Sequence, residues 1–502
     1  MIRLELTVNF KGLIPPELEE LLISQREICG DVFLVGGAIR NTYFGKKVDD
    51  LDFVTVRNSI KIAKKLADHF KGDFYVLDEK RETARALILV GSMPYKVDIA
   101  RIAGEALKHD LSLRDFTMNA MAMQLPISDE IIDPLDGVSD ISKGQLKPCS
   151  QSSFDMDPVR VLRAVRFMNE YHLSFNPDYI QDVRRVSRNL SQISGERKRD
   201  ELVNILEKTD TQRSLNILME FGILENLFPE TALLEKMVLN NPHVPNVWAH
   251  TCTVAAFCQQ FIGIFRDTGN PNAAHPRMRT AFEKLKKYSN NIIDILETSI
   301  TPGRTKNNLL LLSAIFHDVG KGVIQPILKE GKKCYPGHSK EGSKIMVDKA
   351  REMGFSNLEV DFLKKIVRYH MHISKTPFTD KESKDVQIYK YFKKTGEAGI
   401  LIGFLYLADV HATVGESITD ERWNQVVESV CTIFEAYFLR FKKVVNPPKL
   451  IGGHELIHEF KLTPGKIFAK ILNQVVEEQV KGEITSKPEA MDFVRNYLTE
   501  QK

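Results

Sequence analysis

The chain has 502 residues, 43% of them hydrophobic and 27% charged, with 69 Lys and Arg against 66 Asp and Glu for a net charge of +3. That length exceeds one hydrophobic core and sets an expectation of three or four domains of ordinary globular composition. The near-neutral balance excludes a uniformly basic surface, so any nucleic-acid affinity must come from local patches.

Six cysteines (29, 149, 252, 258, 334 and 431) form no CxxC pair and no framework spacing. They fit reduced thiols and argue against a zinc finger. The opening MIRLELTVNFKG lacks a signal-peptide pattern, and no apolar run is long enough for a bilayer. The expectation is a cytoplasmic protein with no membrane partner.

Residues 1–30 read as a helical lead-in, with Pro15-Pro16 opening a helix over 17–28. Val32 to Val35 is short and apolar enough for a buried strand. Gly36-Gly37 follows, then a helix from Ala38 that Gly45 stops. A second strand, Val48 to Val56, carries Asp50 and Asp52. Alternation puts both carboxylates on one face and Leu51 and Phe53 on the other. Same-face carboxylates beside a glycine turn suggest magnesium and a nucleoside triphosphate, the acids holding the cation and free amides the phosphate. The alternative is a solvated acidic strand end. Gly-Gly and Arg40 at this spacing favour the functional reading. Ser59 reads as the N-cap of an amphipathic helix ending at Gly72, and strands are expected at 73–77, 84–90 and 95–102.

LVGGAIRN followed by DDLDFVTV resembles the head of the class II tRNA nucleotidyltransferase and bacterial poly(A) polymerase family, within the DNA polymerase beta-like superfamily. RDFTMNAMA, DPVRVLRAVRF and GERKRDEL resemble the family's further motifs in the expected order, covering about the first half of the chain. The resemblance implies a multidomain α+β protein: a small mixed-sheet nucleotidyltransferase head, then an all-α neck and helical domains. It implies template-independent addition of C and/or A to tRNA 3′ ends from CTP and ATP, with Mg²⁺ on Asp50 and Asp52. Asp98, in YKVDIARI, becomes a candidate third carboxylate, as metal ligand or general base. A salt bridge with Arg101 or Lys96 is its structural alternative.

Under the same resemblance Gly36, Gly37, Arg40, Arg114, Asp115 and Asn119 are nucleotide-binding candidates. Arg114-Asp115 is expected to open a helix, where Asp115 suits a cap but a cation needs an anion to bind. Only RIAGEALKHDLSL separates Ala100 from Arg114, shorter than the flexible loop usual in members that build a complete CCA end. Residues 154 to 235 are helical by period, opened by Asp157 as N-cap with Pro158 at N1. In the family, Asp and Arg of an E-D-x-x-R motif select the base. Met156 stands at the Glu position here, while Asp157 and Arg160 remain. Asp157 is open to both templating and capping. Arg163 and Arg166, at i+3 steps, are candidates for triphosphate or tRNA phosphate, or an exposed basic face. Arg197, Lys198 and Arg199 extend the basic surface.

From about 240 to 425, His250, His317-Asp318 and Asp409 occur in an order that resembles the HD phosphohydrolase superfamily, with His338 and His370 between, as in its dinuclear branch. Imidazoles and carboxylates from successive helices suit a divalent transition metal (Mn²⁺, Ni²⁺, Fe²⁺ or similar) or Mg²⁺. His372 and His411 are weaker candidates, His243 and His275 read as loop residues, and RDTGNPNAAHPRMRT reads as an inserted loop. After NPPKLIGG, residues 447–502 form a helical block in which LTPGK is a turn between packing helices.

The expected divisions are 1–150 (head), 151–238 (neck with templating motif and tRNA surface), 239–430 (HD domain) and 431–502 (helical C-terminal region). Two rival activities stand beside tRNA tailing. One is poly(A) polymerase. The other is an HD phosphohydrolase or phosphodiesterase as the main activity, the head binding RNA. Oligomeric state is left open, a homodimer included.

Overall fold

The computed structural model describes residues 9–241, 244–266, 269–272, 274–330, 332–373 and 383–500. It packs as two compact units, Met1–Ile193 with Glu220–Asn226, and Ser194–Met219 with Leu227–Lys502.

The first unit is built on six strands, β1 (Val32–Val35), β2 (Asp50–Thr55), β3 (Asp73–Asp78), β4 (Thr83–Val90), β5 (Met93–Arg101) and β6 (Ala122–Gln124), in the order β3-β4-β5-β2-β1-β6. β2 and β5 pair in parallel and every other neighbour is antiparallel. One face is apolar by alternation. Leu34, Leu51, Phe53, Ala84, Ala86, Ile88, Val97 and Ile99 pack under the Ser59–Phe70 helix through Ile62, Ala63 and Leu66. The N-terminal Pro16–Ser24 helix adds Leu18 and Leu22 to this core; the expected helix over 17–28 is broken at Gln25, beyond which a short second helix runs Arg26–Cys29. Val35, Val54 and Ala122 lie on the other face with Leu111, which closes only one end of it. Asp50 and Asp52 share that second face, as expected of alternation.

Three local expectations change. Ser59 is the first helical residue rather than the cap, which is Asn58 in the left-handed region, and the Ser59 hydroxyl donates to the Glu82 carbonyl. RDFTMNAMA is not a helix. It makes a single 3₁₀ turn, Thr117–Asn119, and enters β6, because Asp115 takes the amide of Phe116 and the side chain of Asn119. The neck helix is Arg160–Glu170. Asp157 sits in extended backbone ahead of a Pro158–Val159 turn, its carboxylate 3.4 Å from the Val159 amide.

The second unit is mostly helical. Leu309 to Phe316 are all buried, in a helix, Lys306–Phe316, that packs against Val247–Phe265. Ala398–Val414 packs on both, and His338–Glu352 lies along Asn357–Tyr369. Three two-stranded hairpins, at 238–246, 299–305 and 327–334, interrupt the expected helical pattern. The stretch expected as an inserted loop is helical from Pro276, with His275 as N-cap accepting from the Arg277 amide. His243 and residues 267, 268 and 273 of that stretch lie outside the described residues. Helices Gly453–His458, Lys466–Lys481 and Lys487–Glu500 close a separate small core around Leu456, Ile471, Val475 and Val494. Among the described residues no single helix is long and apolar enough to cross a membrane.

Candidate functional site

The head site is assembled by strand register. Asp52 of β2 stands directly opposite Asp98 of β5, and Asp50 opposite Lys96. Asp98 is braced from the next strand, where Arg85 donates Nε and Nη2 to its two oxygens at 2.8 Å each. Neither expected partner binds it: Lys96 pairs with Asp50, and Arg101 with Glu82. Burial, then the charge of Asp50, pushes the Asp52 carboxyl up to about 6. Three carboxylates on one face, offering only hard oxygen donors, fit a hard divalent cation.

Gly36, at φ +71°, makes the turn out of β1. A Cβ there would meet Arg114 Nη1 at 3.0 Å and lie 3.9 Å from Asp52 Oδ2. The glycine thus lets the guanidinium and the acid approach the same backbone turn. Arg114 Nη2 donates to Asp110, while its buried Nε has no hydrogen-bond partner. A buried guanidinium donor left unmatched suits an anionic ligand.

Behind these residues runs a buried polar chain. Arg40, 8% exposed, donates Nη1 to Asn119 at 2.5 Å and Nε and Nη2 to Asn41, with its guanidinium over the rings of Phe167 and Tyr171. Asn119 donates to Asp115, which also receives Arg163 Nε at 2.7 Å. Burial alone would raise the Asp115 carboxyl. The charge of Arg163, hydrogen bonds from Asn119 and Arg163, and the Phe116 amide outweigh it and hold the group at about 2. Arg160 turns inward, its Nη1 donating to the Arg114 carbonyl and to Ser153, its Nη2 to the Leu113 carbonyl at 2.7 Å. Arg166 lies over the Phe167 ring and pairs with Glu170 at 3.3 Å. The structure therefore brings Gly36, Arg114, Asp50, Asp52 and Asp98 together, and sets Arg40, Asn119, Asp115 and Arg163 as a second layer. Arg85 was absent from the sequence reading, since only strand pairing reveals it.

In the second unit, His250, His317, Asp318, His338, His370 and Asp409 converge. His317 and His370 each follow the last residue of a helix, His338 opens one, and His250 and Asp409 project from helices. Three rings are held alike: Nδ1 of His317, His338 and His370 lies 2.7–2.8 Å from the carbonyl three residues earlier. A carbonyl only accepts, so Nδ1 carries the proton and the Nε2 lone pair is left for a metal. The Nε2 atoms of His317 and His250 lie 3.4 Å apart, and those of His338 and His370 3.3 Å. Asp318 spans the pairs, with Oδ2 3.4 Å from His317 and 3.8 Å from His250, and Oδ1 3.3 Å from His338 and 3.9 Å from His370. Two overlapping ligand groups result, His250-His317-Asp318 and Asp318-His338-His370. Asp409 joins the first, 3.1 Å from His250. Lys321, a turn beyond Asp318, donates to it. His411 instead packs against Phe257 and His275, and His372 against Tyr369.

With this geometry in view, three stretches match family models: a poly A polymerase head domain at residues 32–147, a probable RNA and SrmB-binding site of polymerase A at 172–234, and an HD domain at 278–413. The chain thus carries a poly A polymerase head domain and an HD domain. It is similar to tRNA nucleotidyltransferases. A CC-adding tRNA nucleotidyltransferase of Synechocystis is 33% identical over 40% of this chain, a match spanning about half (47%) of the relative's length. An A-adding tRNA nucleotidyltransferase of Deinococcus radiodurans is 24% identical over 93% of this chain and 95% of its own. Two solved structures share the fold. A Thermotoga maritima CCA-adding enzyme complexed with tRNA covers 97% of each chain, at 19% identity and TM-score 0.54. A CCA-adding enzyme with CTP covers 97% of this chain and 96% of its own, at 18% identity and TM-score 0.59. Head domains and HD domains of these kinds are generally metal-dependent.

Proposed function

We propose that this chain adds C and/or A nucleotides to tRNA 3′ ends, using CTP and ATP. One observation carries the reading: Asp50, Asp52 and Asp98 share one sheet face in register, with Arg114 and the Gly36 turn beside Asp52. The acids are the set that would hold Mg²⁺. When bound, the cation would lower the pKa of the attacking hydroxyl and offset charge on the departing pyrophosphate. Arg114 supplies fixed positive charge to the triphosphate. Asn119, fixed between Arg40 and Asp115, supports this side of the site from behind. Asp98, both of its oxygens oriented by Arg85, completes the set of acids from the neighbouring strand. Asp157 accepts from the exocyclic amine that C and A share, while Arg160 fixes the Leu113 and Arg114 carbonyls and so positions Arg114. Relatives in both the CC-adding and the A-adding groups support the substrate class.

The test is a kinetic one. Asp50→Ala and Asp52→Ala should each lower nucleotide incorporation by several orders of magnitude with the fold intact by circular dichroism. Incorporation near the wild-type rate in either variant removes the reading.

A second activity rests on a separate observation, the Asp318 carboxylate between two histidine pairs. The six side chains fit one or two divalent metals, Mn²⁺, Ni²⁺, Fe²⁺ or Mg²⁺, and hydrolysis of a phosphate ester is the reaction such a site supports. The rival poly(A) polymerase reading shares the head residues and differs in its product.

A further inference from the structure

Half of the face that carries the acids is bare. Cross-strand register sets Tyr75, Arg85, Asp98 and Asp52 in one row, and Asp73, Leu87, Lys96 and Asp50 in the next. Residues in register share a face, so Tyr75 and Leu87 stand on the same side as the acids, and Leu89 two residues on. Tyr75 is 50% exposed, Leu87 38% and Leu89 59%. On the β1 and β6 side the same face is packed by Leu107 and Leu111. A hollow of about 620 Å³, lined by Asp50, Lys71, Leu87, Leu89, Pro94 and Lys96, joins the bare half to Asp50. Apolar surface left open directly beside a polar reaction centre marks a contact for a ligand.

The position of the acids identifies that ligand. Gly36, Arg114 and Asn119, the triphosphate side under the reading above, lie toward β1. In an in-line displacement the attacking and leaving oxygens stand on opposite sides of phosphorus. The attacking hydroxyl therefore arrives from the β5 and β4 side. Strand spacing of about 4.8 Å puts Leu87, two strands away, roughly 10 Å from Asp50 and Tyr75, three strands away, roughly 14 Å from Asp52, within reach of the last two or three nucleotides of a strand whose end is at the acids. Unpaired nucleotides bind where bases stack on aromatic or apolar side chains and cations flank the backbone. Tyr75 and Leu87 provide the first, Lys71 and Lys96 the second.

We propose that this half-face seats the unpaired 3′-terminal nucleotides of the RNA acceptor, with Tyr75 and Leu87 as the platform. The inference rests on the nucleotidyl-transfer reading. β3 is also the edge strand of the sheet, so a second copy of the chain is the competing occupant.

The full chain is irradiated with a tRNA transcript that lacks CCA and ends in 4-thiouridine, and adducts are mapped by mass spectrometry. Adducts within 73–96 are expected; adducts confined to other segments overturn the proposal. This readout needs no turnover, so a chain that incorporates no nucleotide sinks the transfer reading while the acceptor seat is still measured. In parallel, the Tyr75→Ala/Leu87→Ala double variant should raise the KM for tRNA about tenfold or more, with the KM for CTP and ATP within twofold, and Tyr75→Phe should restore the tRNA KM. Thermal melting of each variant separates this from misfolding. An unchanged tRNA KM in the double variant, with or without a change in mass by light scattering, overturns it.

Discussion

Asp52 is the residue where site and stability oppose each other. Its folded carboxyl titrates at about 6, raised by burial and then by Asp50, against roughly 3.9 for an unfolded aspartate. Between those values the folded state binds the proton more tightly, so stability falls as pH rises from about 4 through 6, and above that the cost is fully present. In chelator at pH 7.5, Asp52→Asn should therefore gain about 1–3 kcal/mol in urea unfolding, and the gain should disappear near pH 4. Equal or lower stability of the variant at pH 7.5 would contradict the burial of Asp52 beside Asp50. At Asp157, Asn retains the hydrogen bond to the Val159 amide, since Asn and Asp cap about equally. Asp157→Asn should keep the wild-type melting temperature and lose preference for CTP and ATP over UTP and GTP. Full preference in a stable variant would leave Asp157 only its contact with the Val159 turn and place base selection elsewhere. At this scale alternation makes the Asp50/Asp52 pair legible. The partner of Asp98 is not: Arg101 lies on the opposite face, Lys96 is taken by Asp50, and Arg85 reaches Asp98 only through antiparallel register.

Among the elements, the RDFTMNA segment shows how tertiary partners override a local signal. Arg114-Asp115 followed by Asn119 reads as a helix start, yet Asp115 is committed to Arg163 and Asn119 to Arg40, both on other elements, and the backbone makes one 3₁₀ turn and pairs with β1. The HD elements behave oppositely. His317 and His370 fall at helix ends whose last-turn carbonyls orient Nδ1, so identity and order sufficed to pick side chains that converge, while the division into two overlapping groups needed coordinates. Asp318→Ala removes the one carboxylate common to both groups. Bound metal measured by plasma mass spectrometry should fall to less than half, and metal-dependent hydrolysis of a phosphate ester should vanish, while nucleotide incorporation stays within twofold. Loss of incorporation in a folded Asp318→Ala protein would show the two chemistries to be coupled. Chelation offers a second check on the same elements. Removing metal from six converging ligands should lower the melting temperature of the wild type, because metal bound only by the folded state stabilises it, and should leave Asp318→Ala almost unmoved.

Over the whole molecule, the sequence motifs located both site-bearing regions, since each depends on short local patterns: alternating acids after a glycine turn, and His-Asp at a helix end. Connections such as the three hairpins of the second unit were not legible, because their two- to four-residue strands carry no periodicity above background. The small C-terminal core around Leu456 and Ile471 was visible only as helical pattern. The central claim is nucleotide transfer to a tRNA 3′ end, and one experiment addresses it directly. The protein is given transcripts ending before the CCA sequence, after CC and after CCA, with labelled CTP and ATP singly and together, and the products are resolved to single nucleotides. The account predicts C and/or A joined to at least one of the two truncated ends in the one to three steps that complete CCA, with nothing added to the complete end. Long tracts of A on every transcript, or no incorporation on any, would contradict it.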